Sequence, residues 1–492
     1  MNKNIHQSII MTILAFIIVG CGDSSNSNED ETLQEIISSN NLTGDILKDK
    51  VIPSINSPKA QLGMRLFFSK SLGADRDSAC VSCHHPMLGG GDNLSLSIGT
   101  GAVNPNLLGE GRLHNISSPQ YDGGPTISRN APTTFNMLGW RRVLFHDGRI
   151  EHNREMNGIS TPDSGYNIVD NLATANLASA QSRFPITSQE EMKGFNNEDK
   201  SNQETRDYIA GRLGGYGEAS NDLNNTNYWL NQFKTAFNQP NGTAQELITE
   251  QNIALLLGVY ENSQAFTNNP WKSYVEGNTN AISDSAKRGA VLFFKPISDG
   301  GADCVHCHSG DLFSDEEFHN VAIPQIGRGK GVGVDAIEDF GRSSITENEQ
   351  DRYKFKTPSL LNIELTGPWG HTGAYTSLEA IVKHMSNPKE AVNSYNASQL
   401  NQTGIQNLNK MRVNTNRAVA KLESDRAMDL DVLKNSNLSD REIADVVSFL
   451  KTLTDPCLLD EDCIKRWVLQ PNLDPNGDQL DAVDRAGNRL NL

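Results

Sequence analysis

The chain has 492 residues, enough for two or three domains of ordinary size, and its 60 acidic and 43 basic residues give a formal net charge of −17. Such an acidic balance argues against nucleic-acid binding and suits a basic soluble partner. After the first twenty residues, no stretch is long and apolar enough to span a bilayer.

The N-terminus has the pattern of an export signal. Its apolar run ends in small residues that precede Cys21, which resembles the cleavage box of bacterial lipoproteins. We expect residues 1–20 to be removed and Cys21 to carry lipid; an ordinary secretory signal with a free thiol is the alternative. The polar, acidic residues that follow predict a flexible tether over residues 21–50. The expected location is the periplasm, an oxidising compartment, with the lipid as the only contact to a membrane.

An internal repeat is the main feature of the rest of the sequence. Residues 60–86 (AQLGMRLFFSKSLGADRDSACVSCHHP) echo residues 286–310 (AKRGAVLFFKPISDGGADCVHCHSG). Each copy has apolar residues at helical spacing that end in Leu-Phe-Phe, then a Gly/Asp-rich turn, then two cysteines. Cap signals precede both helices, at Ser57 and at Ser283. The doubling predicts two similar domains.

The segments outside the repeat are mostly helical in pattern. Residues 252–263 predict a buried helix, whereas the Asn- and Gly-rich residues 196–242 indicate surface loops. Ser439 and Glu442 have the spacing of a capping box that opens an amphipathic helix. Strand patterns are almost absent. The predicted fold class is therefore mainly α, with long loops.

The last segment, residues 456–492, contains two further cysteines. Cys457 and Cys463 lie close together, and in an oxidising compartment we expect them to form a local disulfide. Residues 474–478 (DPNGD) mimic half of a calcium loop, but Gln479 stands where that loop needs glycine. We expect a solvated, disulfide-containing tail.

Both cysteine pairs of the repeat are followed at once by histidine, which gives C-x-x-C-H, the attachment signature of c-type haem. The residues are Cys80, Cys83 and His84, and Cys304, Cys307 and His308. In this signature two thiols add to haem vinyl groups and the imidazole binds iron. The alternatives are zinc, which would need more cysteine or histidine at matching spacing, and a thioredoxin-like redox pair. Two motifs in an exported chain predict two covalent haems.

Two spare histidines lie at these motifs. His85 follows the predicted ligand His84, and we expect it to point to solvent or to a haem propionate. His306 lies between the cysteines of the second motif and is not expected to bind iron.

Longer motifs run from about residue 57 to residue 454. They are LGMRLFF, CVSCHHP, GGGDNLSLSIGTG, RNAPTTFN, FHDGR, SQEEM, CVHCH, YKFKTPSLLNIELTGPWGHTGAYTSLEAIVKHM and LSDREIADVVSFLKTL. In these motifs the chain resembles the bacterial di-haem cytochrome c peroxidases, whose relatives include the tryptophan-oxidising MauG. The resemblance implies two cytochrome-c-like domains. It also implies that peroxide reacts at the haem of residues 51–280 and that the haem of residues 281–455 receives electrons.

The resemblance also implies a second ligand for the C-terminal haem. The family usually has methionine in the helix after a His-Gly turn, and Met385 matches it. A core methionine is one alternative and His384 as the ligand is another; neighbours on a helix point about 100° apart, so only one of the two can reach the iron. His371 matches a motif near this haem, and we expect it beside the haem rather than on the iron.

Two positions depart from the family pattern. Where the family has histidine in a loop that caps the first haem, this chain has Thr100 (SIGTG), so we expect that iron to be open or to hold water without prior reduction. Where the family has tryptophan between the haems, this chain has His146 (FHDGR). Trp140 in a displaced bridging role is one alternative, and His146 as a distal ligand or proton donor is another.

An acid–base residue and a metal site are also implied. Glu191 (SQEEM) matches the family glutamate that moves a proton between the peroxide oxygens, with a surface acid as the alternative. Asn130, Thr366 and Pro368 match residues that hold calcium between the haems through one side-chain oxygen and two carbonyls. Asn130 as a turn cap is the alternative.

The predicted function is a peroxidase that reduces hydrogen peroxide to water with electrons from a small cytochrome c or cupredoxin. The second hypothesis is a MauG-like enzyme that oxidises side chains of a partner protein. Thr100 and His146 favour it, and Met385 disfavours it because MauG has tyrosine there. The third is a non-catalytic electron carrier, against which Glu191 and the missing distal ligand argue. Because the family is often dimeric, a homodimer is expected.

Overall fold

In a computed structural model, the structure describes residues 26–173, 176–195, 197–430 and 433–490, with side chains from residue 28 onward. The predicted signal peptide and Cys21 lie outside these ranges. In the described residues, no helix combines the length and the apolar character needed to cross a bilayer.

Helices form most of the regular structure, as the sequence predicts. In chain order they are α1 (Asn26–Ser39), α2 (Pro58–Phe67), α3 (Leu177–Gln181), α4 (Asn202–Gly214), α5 (Thr226–Phe237), α6 (Ala244–Leu247), α7 (Glu250–Ser263), α8 (Pro270–Val275), α9 (Asp284–Phe294), α10 (Ser343–Thr346), α11 (Leu378–Ser386), α12 (Pro388–Ser394), α13 (Leu408–Ala427), α14 (Asp440–Lys451) and α15 (Glu461–Ile464).

Short strands form two small antiparallel sheets. They are β1 (Val143–Leu144), β2 (Ile150–Asn153), β3 (Gly158–Ser160), β4 (Phe318–His319) and β5 (Phe355–Lys356). The first sheet has the order β1-β2-β3, and in the second β4 pairs with β5 so that His319 lies opposite Phe355.

The two copies of the repeat fold alike. The Ser57 hydroxyl caps α2, and the Ser283 hydroxyl caps α9. Each helix leads to a short turn of 3₁₀ helix at its cysteine pair. A glycine in the middle of each helix allows a close crossing. A Cβ added to Gly63 would lie 2.1 Å from a carbonyl oxygen of α7, and one added to Gly289 would lie 1.9 Å from a carbonyl oxygen of α14.

Each repeat has its own hydrophobic core. In the first domain, α2, α4, α5 and α7 enclose side chains such as Phe67, Trp229 and Leu256. In the second domain, α8, α9 and α14 enclose Trp271, Phe293 and Phe449. In each domain, packed helices therefore support the cysteine motif from one side.

The N-terminal residues differ from the expected flexible tether. Residues 26–39 are the helix α1, and its apolar side chains Leu33 and Ile37 are buried in the core of the second domain. Asp30 of α1 forms an ion pair with Lys287 of α9, with an N–O distance of 2.9 Å. The acidic composition hid these two apolar positions one helical turn apart, which is why the tether prediction was wrong for this segment.

The C-terminal segment is not a solvated tail. Trp467, Val468 and Leu480 are buried in the core of the first domain. Asp478, in the segment that mimics a calcium loop, is buried and accepts hydrogen bonds from Ser71 and Arg76. Cys457 and Cys463 are joined by a disulfide, with their Cα atoms 5.2 Å apart. Each end of the chain thus completes the domain at the opposite end.

The region predicted as surface loops, residues 196–242, instead contains α4 and α5. Ser201 and Glu204 form a capping box that starts α4. In α5, Trp229 and Phe233 are buried one turn apart. The buried helix predicted over residues 252–263 is present as α7, and the capping box at Ser439 opens α14.

Candidate functional site

Both motif histidines are oriented in the same way. The Nδ1 atom of His84 lies 3.2 Å from the Gly90 carbonyl oxygen, and the Nδ1 atom of His308 lies 2.9 Å from the Phe313 carbonyl oxygen. A carbonyl oxygen can only accept, so each Nδ1 carries the proton and each Nε2 keeps its lone pair. This is the arrangement that orients an imidazole toward a metal.

The four motif cysteines fit covalent attachment better than zinc. They form no disulfide. Burial raises the pKa of the thiols of Cys80 and Cys83, and it raises the pKa of Cys304 to about 12. A site that favours uncharged sulfur suits a thioether, whereas zinc needs thiolates. Cys307, Asp315 and His319 lie close enough together to hold a metal ion. Cys307 can serve as a ligand there only if its sulfur is not attached to haem.

His85 does not point to solvent, so that part of the prediction was wrong. It is fully buried, and its Nδ1 accepts a hydrogen bond from the Met87 backbone N–H at 3.1 Å. The ring thus caps the turn that follows the first motif. Its Nε2 must carry the proton and has no partner within the described structure. Such an orphaned donor fits a site completed by a group that brings carboxylates, as haem does.

Glu191 lies beside the first motif. Its backbone carbonyl accepts a hydrogen bond of 2.9 Å from the Ser78 hydroxyl, and Sδ of the next residue, Met192, lies 3.9 Å from Sγ of Cys80. Burial raises the pKa of Glu191, although the charges of Arg149 and Lys330 oppose this shift. A buried carboxyl with a raised pKa next to a predicted haem is suited to accept and return a proton.

The loop that carries Thr100 packs directly on the Glu191 turn. The Thr100 hydroxyl donates to the Gln189 carbonyl at 3.0 Å, and its backbone N–H donates to the Glu190 carbonyl at 3.1 Å. A Cβ on Gly99 would lie 2.3 Å from the same Glu190 oxygen. On the other side of the loop, the buried Arg112 donates to the Ile98 carbonyl at 2.7 Å. The Thr100 side chain is therefore engaged by backbone and is not directed to a metal.

At the second motif, the two neighbouring ligand candidates differ in their bonding. Both ring nitrogens of His384 are engaged, Nδ1 by the Tyr375 hydroxyl and Nε2 by the Val321 carbonyl, each at 2.7 Å. The side chain of Met385 is half-buried on the next position of α11. Both ring nitrogens of His384 are thus engaged by the protein itself, which favours Met385 over His384 as the predicted ligand.

His146 does not have the geometry of a distal ligand. Its Nε2 lies 3.0 Å from the Asn130 carbonyl oxygen and is engaged there. Burial and the neighbouring Arg129 lower the pKa of His146 to about 4, so the ring is neutral at physiological pH. Trp140 lies nearby with the Lys356 ammonium 3.2 Å from its ring centre, and burial lowers the pKa of Lys356 to about 7.

A buried ion-pair network connects the two domains. Arg129 bonds Asp147 and Asp339 at 2.6 Å each. His371 lies close to this network, stacked on Phe355 with ring centres 3.5 Å apart, and neither of its ring nitrogens has a partner within the described structure. Arg129 and Asp339 were not among the predicted site residues. The signal available for Arg129 was its position next to Asn130 in the RNAPTT motif.

Two of the three predicted calcium ligands have contacts that place their segments: Asn130 bonds to residues 94 and 371, and Thr366 lies against the turn after the first motif. The Asn130 side-chain amide donates to the Leu94 carbonyl at 2.9 Å, and its backbone N–H donates to the His371 carbonyl at 2.8 Å. A Cβ on Gly89, in the turn after the first motif, would lie 3.4 Å from Cα of Thr366. Pro368 is buried close to these segments in the chain. With its amide nitrogen engaged, Asn130 has only its oxygen left for a cation.

Comparisons with known proteins find similarity to di-haem enzymes. Residues 57–280 match the family model described as di-haem cytochrome c peroxidase. The chain is 25% identical over 381 residues to the methylamine utilization protein MauG of Methylorubrum extorquens. The aligned region covers 75% of this chain and 81% of that protein. It is also 25% identical over 336 residues to the cytochrome c551 peroxidase of Nitrosomonas europaea, with 68% and 75% covered.

A solved structure shares the fold. It is that of a MauG-like protein associated with microbial copper homeostasis, with a TM-score of 0.53, 20% identity, and 85% of this chain and 97% of that chain covered. Together with the helical cores around each cysteine motif, this likeness bears out the predicted mainly α, cytochrome-c-like fold.

Proposed function

Since the chain is a member of the di-haem cytochrome c peroxidase and MauG family, and thus an oxidoreductase, we propose that it reduces hydrogen peroxide to water with electrons from a small carrier, a cytochrome c or a cupredoxin. Cys80, Cys83 and His84 would hold the haem of the peroxide site. Cys304, Cys307 and His308 would hold the electron-accepting haem. When bound, the two haems supply the redox chemistry.

The observation that carries this proposal is the position of Glu191 against the first motif. Its carboxylate takes a proton from one oxygen of peroxide and returns it to the other, which makes water the leaving group. Arg149 and Lys330 bias the carboxyl toward its charged, proton-accepting form. The Thr100 loop fixes the turn that carries Glu191 and excludes a competing ligand from that side.

The test is turnover of the holoprotein with hydrogen peroxide and a reduced small carrier. Two electrons withdrawn from the carrier per peroxide are expected. If peroxide instead oxidises the enzyme but draws no electrons from a cytochrome c or a cupredoxin, the second candidate is favoured, a MauG-like enzyme that oxidises side chains of a partner protein. The relatives named MauG are the observation that favours this second candidate. If peroxide does not react at all, both candidates fail.

We further propose that the first haem is open at rest. The Thr100 hydroxyl is engaged by Gln189, and His146 is engaged by Asn130. Electron paramagnetic resonance of the fully oxidised protein is expected to show one high-spin and one low-spin haem, and peroxide is expected to react without prior reduction. Two low-spin haems would contradict an open site.

For the second haem we propose Met385 as the second axial ligand, because the competing His384 is hydrogen-bonded at both ring nitrogens. A thioether raises the reduction potential, which suits a haem that stores an electron. Met385→Ala is expected to lower the potential of that haem and to abolish its low-spin signal. His384→Gln is expected to keep the signal. A low-spin signal that survives only in Met385→Ala would reverse the assignment.

We also propose calcium between the domains, bound by the Asn130 side-chain oxygen and the carbonyls of Thr366 and Pro368, since hard oxygen donors suit this ion. Metal analysis is expected to find calcium in the wild-type protein and to find it lost in Asn130→Ala. Calcium retained by this variant would exclude the site.

The remaining proposals concern the location and the partners of the protein. We propose that the protein is periplasmic, carries lipid at Cys21 and forms a homodimer. Mass spectrometry of the N-terminal peptide would detect the lipid, and Cys21→Ser is expected to release the protein from membranes. Light scattering of the released form would measure the number of subunits. The formal net charge of the full sequence, −17, supports a basic electron donor. Electron transfer from such a donor should slow as salt is added.

A further inference from the structure

An aromatic cluster extends through the core of the second domain from the second motif to the buried Tyr274. The His308 ring centre lies 6.5 Å from that of Phe293, and the Phe293 ring centre lies 5.2 Å from that of Phe449. Trp271 is next, with its ring centre 5.0 Å from Phe449 and 5.5 Å from Tyr274, on which it stacks at 17°. Neighbouring rings are in contact along the whole series, and electrons tunnel more readily through such packed contacts than across gaps.

The last ring of the cluster has a base for its proton. The Tyr274 hydroxyl donates to Oδ1 of Asp30 at 2.6 Å, and Nζ of Lys287 donates to Oδ2 at 2.9 Å. Burial alone would raise the pKa of Asp30, but the hydrogen bonds from Lys287 and Tyr274 outweigh it and lower that pKa. Asp30 is therefore ionised and ready to accept a proton. It lies on α1, where its side chain is 26% exposed.

We propose that Tyr274 is a redox-active tyrosine, which gives an electron through Trp271 toward the His308 side of the second domain and passes its phenolic proton to Asp30. The phenol loses one electron and one proton and becomes a neutral phenoxyl radical. The electron reduces an oxidising equivalent that hydrogen peroxide has left in the haem domain, and the proton protonates the Asp30 carboxylate. A one-electron carrier later returns the electron, and Asp30 returns the proton.

This inference rests on the proposed peroxide chemistry, and it adds a site outside both cysteine motifs. Tyrosine oxidation is favourable only when the proton has a place to go, because a phenol that has lost an electron becomes a very strong acid. Tyr395, another buried tyrosine of the second domain, donates instead to the Ala374 carbonyl at 2.7 Å. A neutral carbonyl is a far weaker base than a carboxylate, so Tyr395 serves as a matched control.

The experiment adds a small excess of hydrogen peroxide to the holoprotein without electron donor and freezes it for electron paramagnetic resonance. The wild-type protein and Tyr395→Phe are expected to give a tyrosyl signal that narrows when the protein contains ring-deuterated tyrosine. Tyr274→Phe is expected to lose this signal. Trp271→Phe is expected to form it more slowly, and Asp30→Asn to weaken it because the proton acceptor is removed.

The outcomes separate this inference from the proposed function. If the haem absorption responds to peroxide but Tyr274→Phe keeps the wild-type tyrosyl signal, or the wild-type protein gives none, the inference is overturned and the peroxide chemistry stands. If the haem absorption does not respond to peroxide in the wild-type protein, both are overturned. Should Tyr274→Phe fail to retain its haems, Asp30→Asn decides, because an undiminished signal in that variant contradicts the proton transfer.

Discussion

Hydrogen bonds join the loop that carries Thr100 to the turn that carries Glu191. The threonine hydroxyl and amide bind the carbonyls of Gln189 and Glu190, so the loop that carries a ligand in the family pattern here supports the turn that carries the carboxyl. Thr100 therefore ties this loop to the turn that carries the proposed acid–base residue.

At this scale we predict that Glu191→Gln slows the reaction with peroxide by roughly 100- to 10,000-fold, the usual contribution of a positioned acid–base group. Because burial raises the pKa of Glu191, the carboxylate is lost as pH falls through that raised value. The wild-type rate should therefore begin to fall at a higher pH than an exposed glutamate would cause. Stopped-flow absorbance over a pH series measures both effects.

Glu190→Gln is the matched control for this prediction. Glu190 is the preceding residue, its side chain is 41% exposed, and its contribution to the Thr100 loop is a backbone carbonyl that the substitution keeps. We expect a rate close to that of the wild-type protein. Equal losses in the two variants would show that Glu191 acts only through the shape of the turn.

Among the elements, the two repeat helices depend on their glycines. Gly63 in α2 and Gly289 in α9 occupy equivalent places, and each lets its helix touch the backbone of a partner helix. Each cysteine motif follows one of these helices in the chain after a short linker, beginning at Cys80 and at Cys304. The helix crossing thus sets the starting point of the chain segment that leads to each motif histidine.

We predict that Gly63→Ala and Gly289→Ala each lower the free energy of unfolding by about 2–3 kcal/mol, because the added methyl overlaps a carbonyl of the partner helix. Helix propensity alone predicts the opposite sign, a gain of about 1 kcal/mol. Ala444→Gly, at an exposed position of α14, measures the propensity effect in this protein. Denaturant unfolding followed by circular dichroism compares the three, and stabilisation by either alanine variant would contradict the close crossing.

The elements also show which features the sequence predicts well. The caps at Ser57, Ser283 and Ser439 are local patterns, and the structure has all three. In α5, the Asn-rich composition concealed Trp229 and Phe233, because loop composition outweighed two apolar residues at helical spacing.

The same limit applies to the site. The two cysteine motifs are contiguous patterns that can be found in a single sequence, and Glu191 is predicted through the resemblance of its short motif to the family. The bond between Arg129 and Asp339 joins residues far apart in the chain, and no local pattern pairs them. His85 was misjudged for a related reason, since its burial depends on how the turn after the first motif folds back.

In the whole molecule, the N-terminal helix α1 packs into the second domain and the C-terminal segment packs into the first. We call this arrangement the exchange of ends. Leu33 of α1 is buried in the second domain, and Trp467 of the C-terminal segment is buried in the first. The Tyr260 hydroxyl donates to the Trp467 carbonyl at 2.7 Å, which ties this segment to α7. Neither domain is therefore a continuous stretch of sequence.

We predict that Trp467→Ala and Leu33→Ala each lower the free energy of unfolding by about 3 kcal/mol, as large-to-small changes in a core do. The two substitutions act in different domains. Hydrogen exchange read by mass spectrometry should be faster in α2 and α7 for Trp467→Ala and faster in α9 and α14 for Leu33→Ala. Each variant is the control for the other. Faster exchange in the same helices for both variants would contradict the exchange of ends.

This exchange of ends has a consequence for biosynthesis. The first cysteine motif leaves the ribosome long before Leu480, which its domain needs to close, whereas α1 is made first and can pack only after α9 has been made. The domain that contains Cys80 and Cys83 therefore cannot complete its core until almost the whole chain has been made. For the two haems proposed here, attachment at the first motif can therefore precede folding of that domain rather than compete with it.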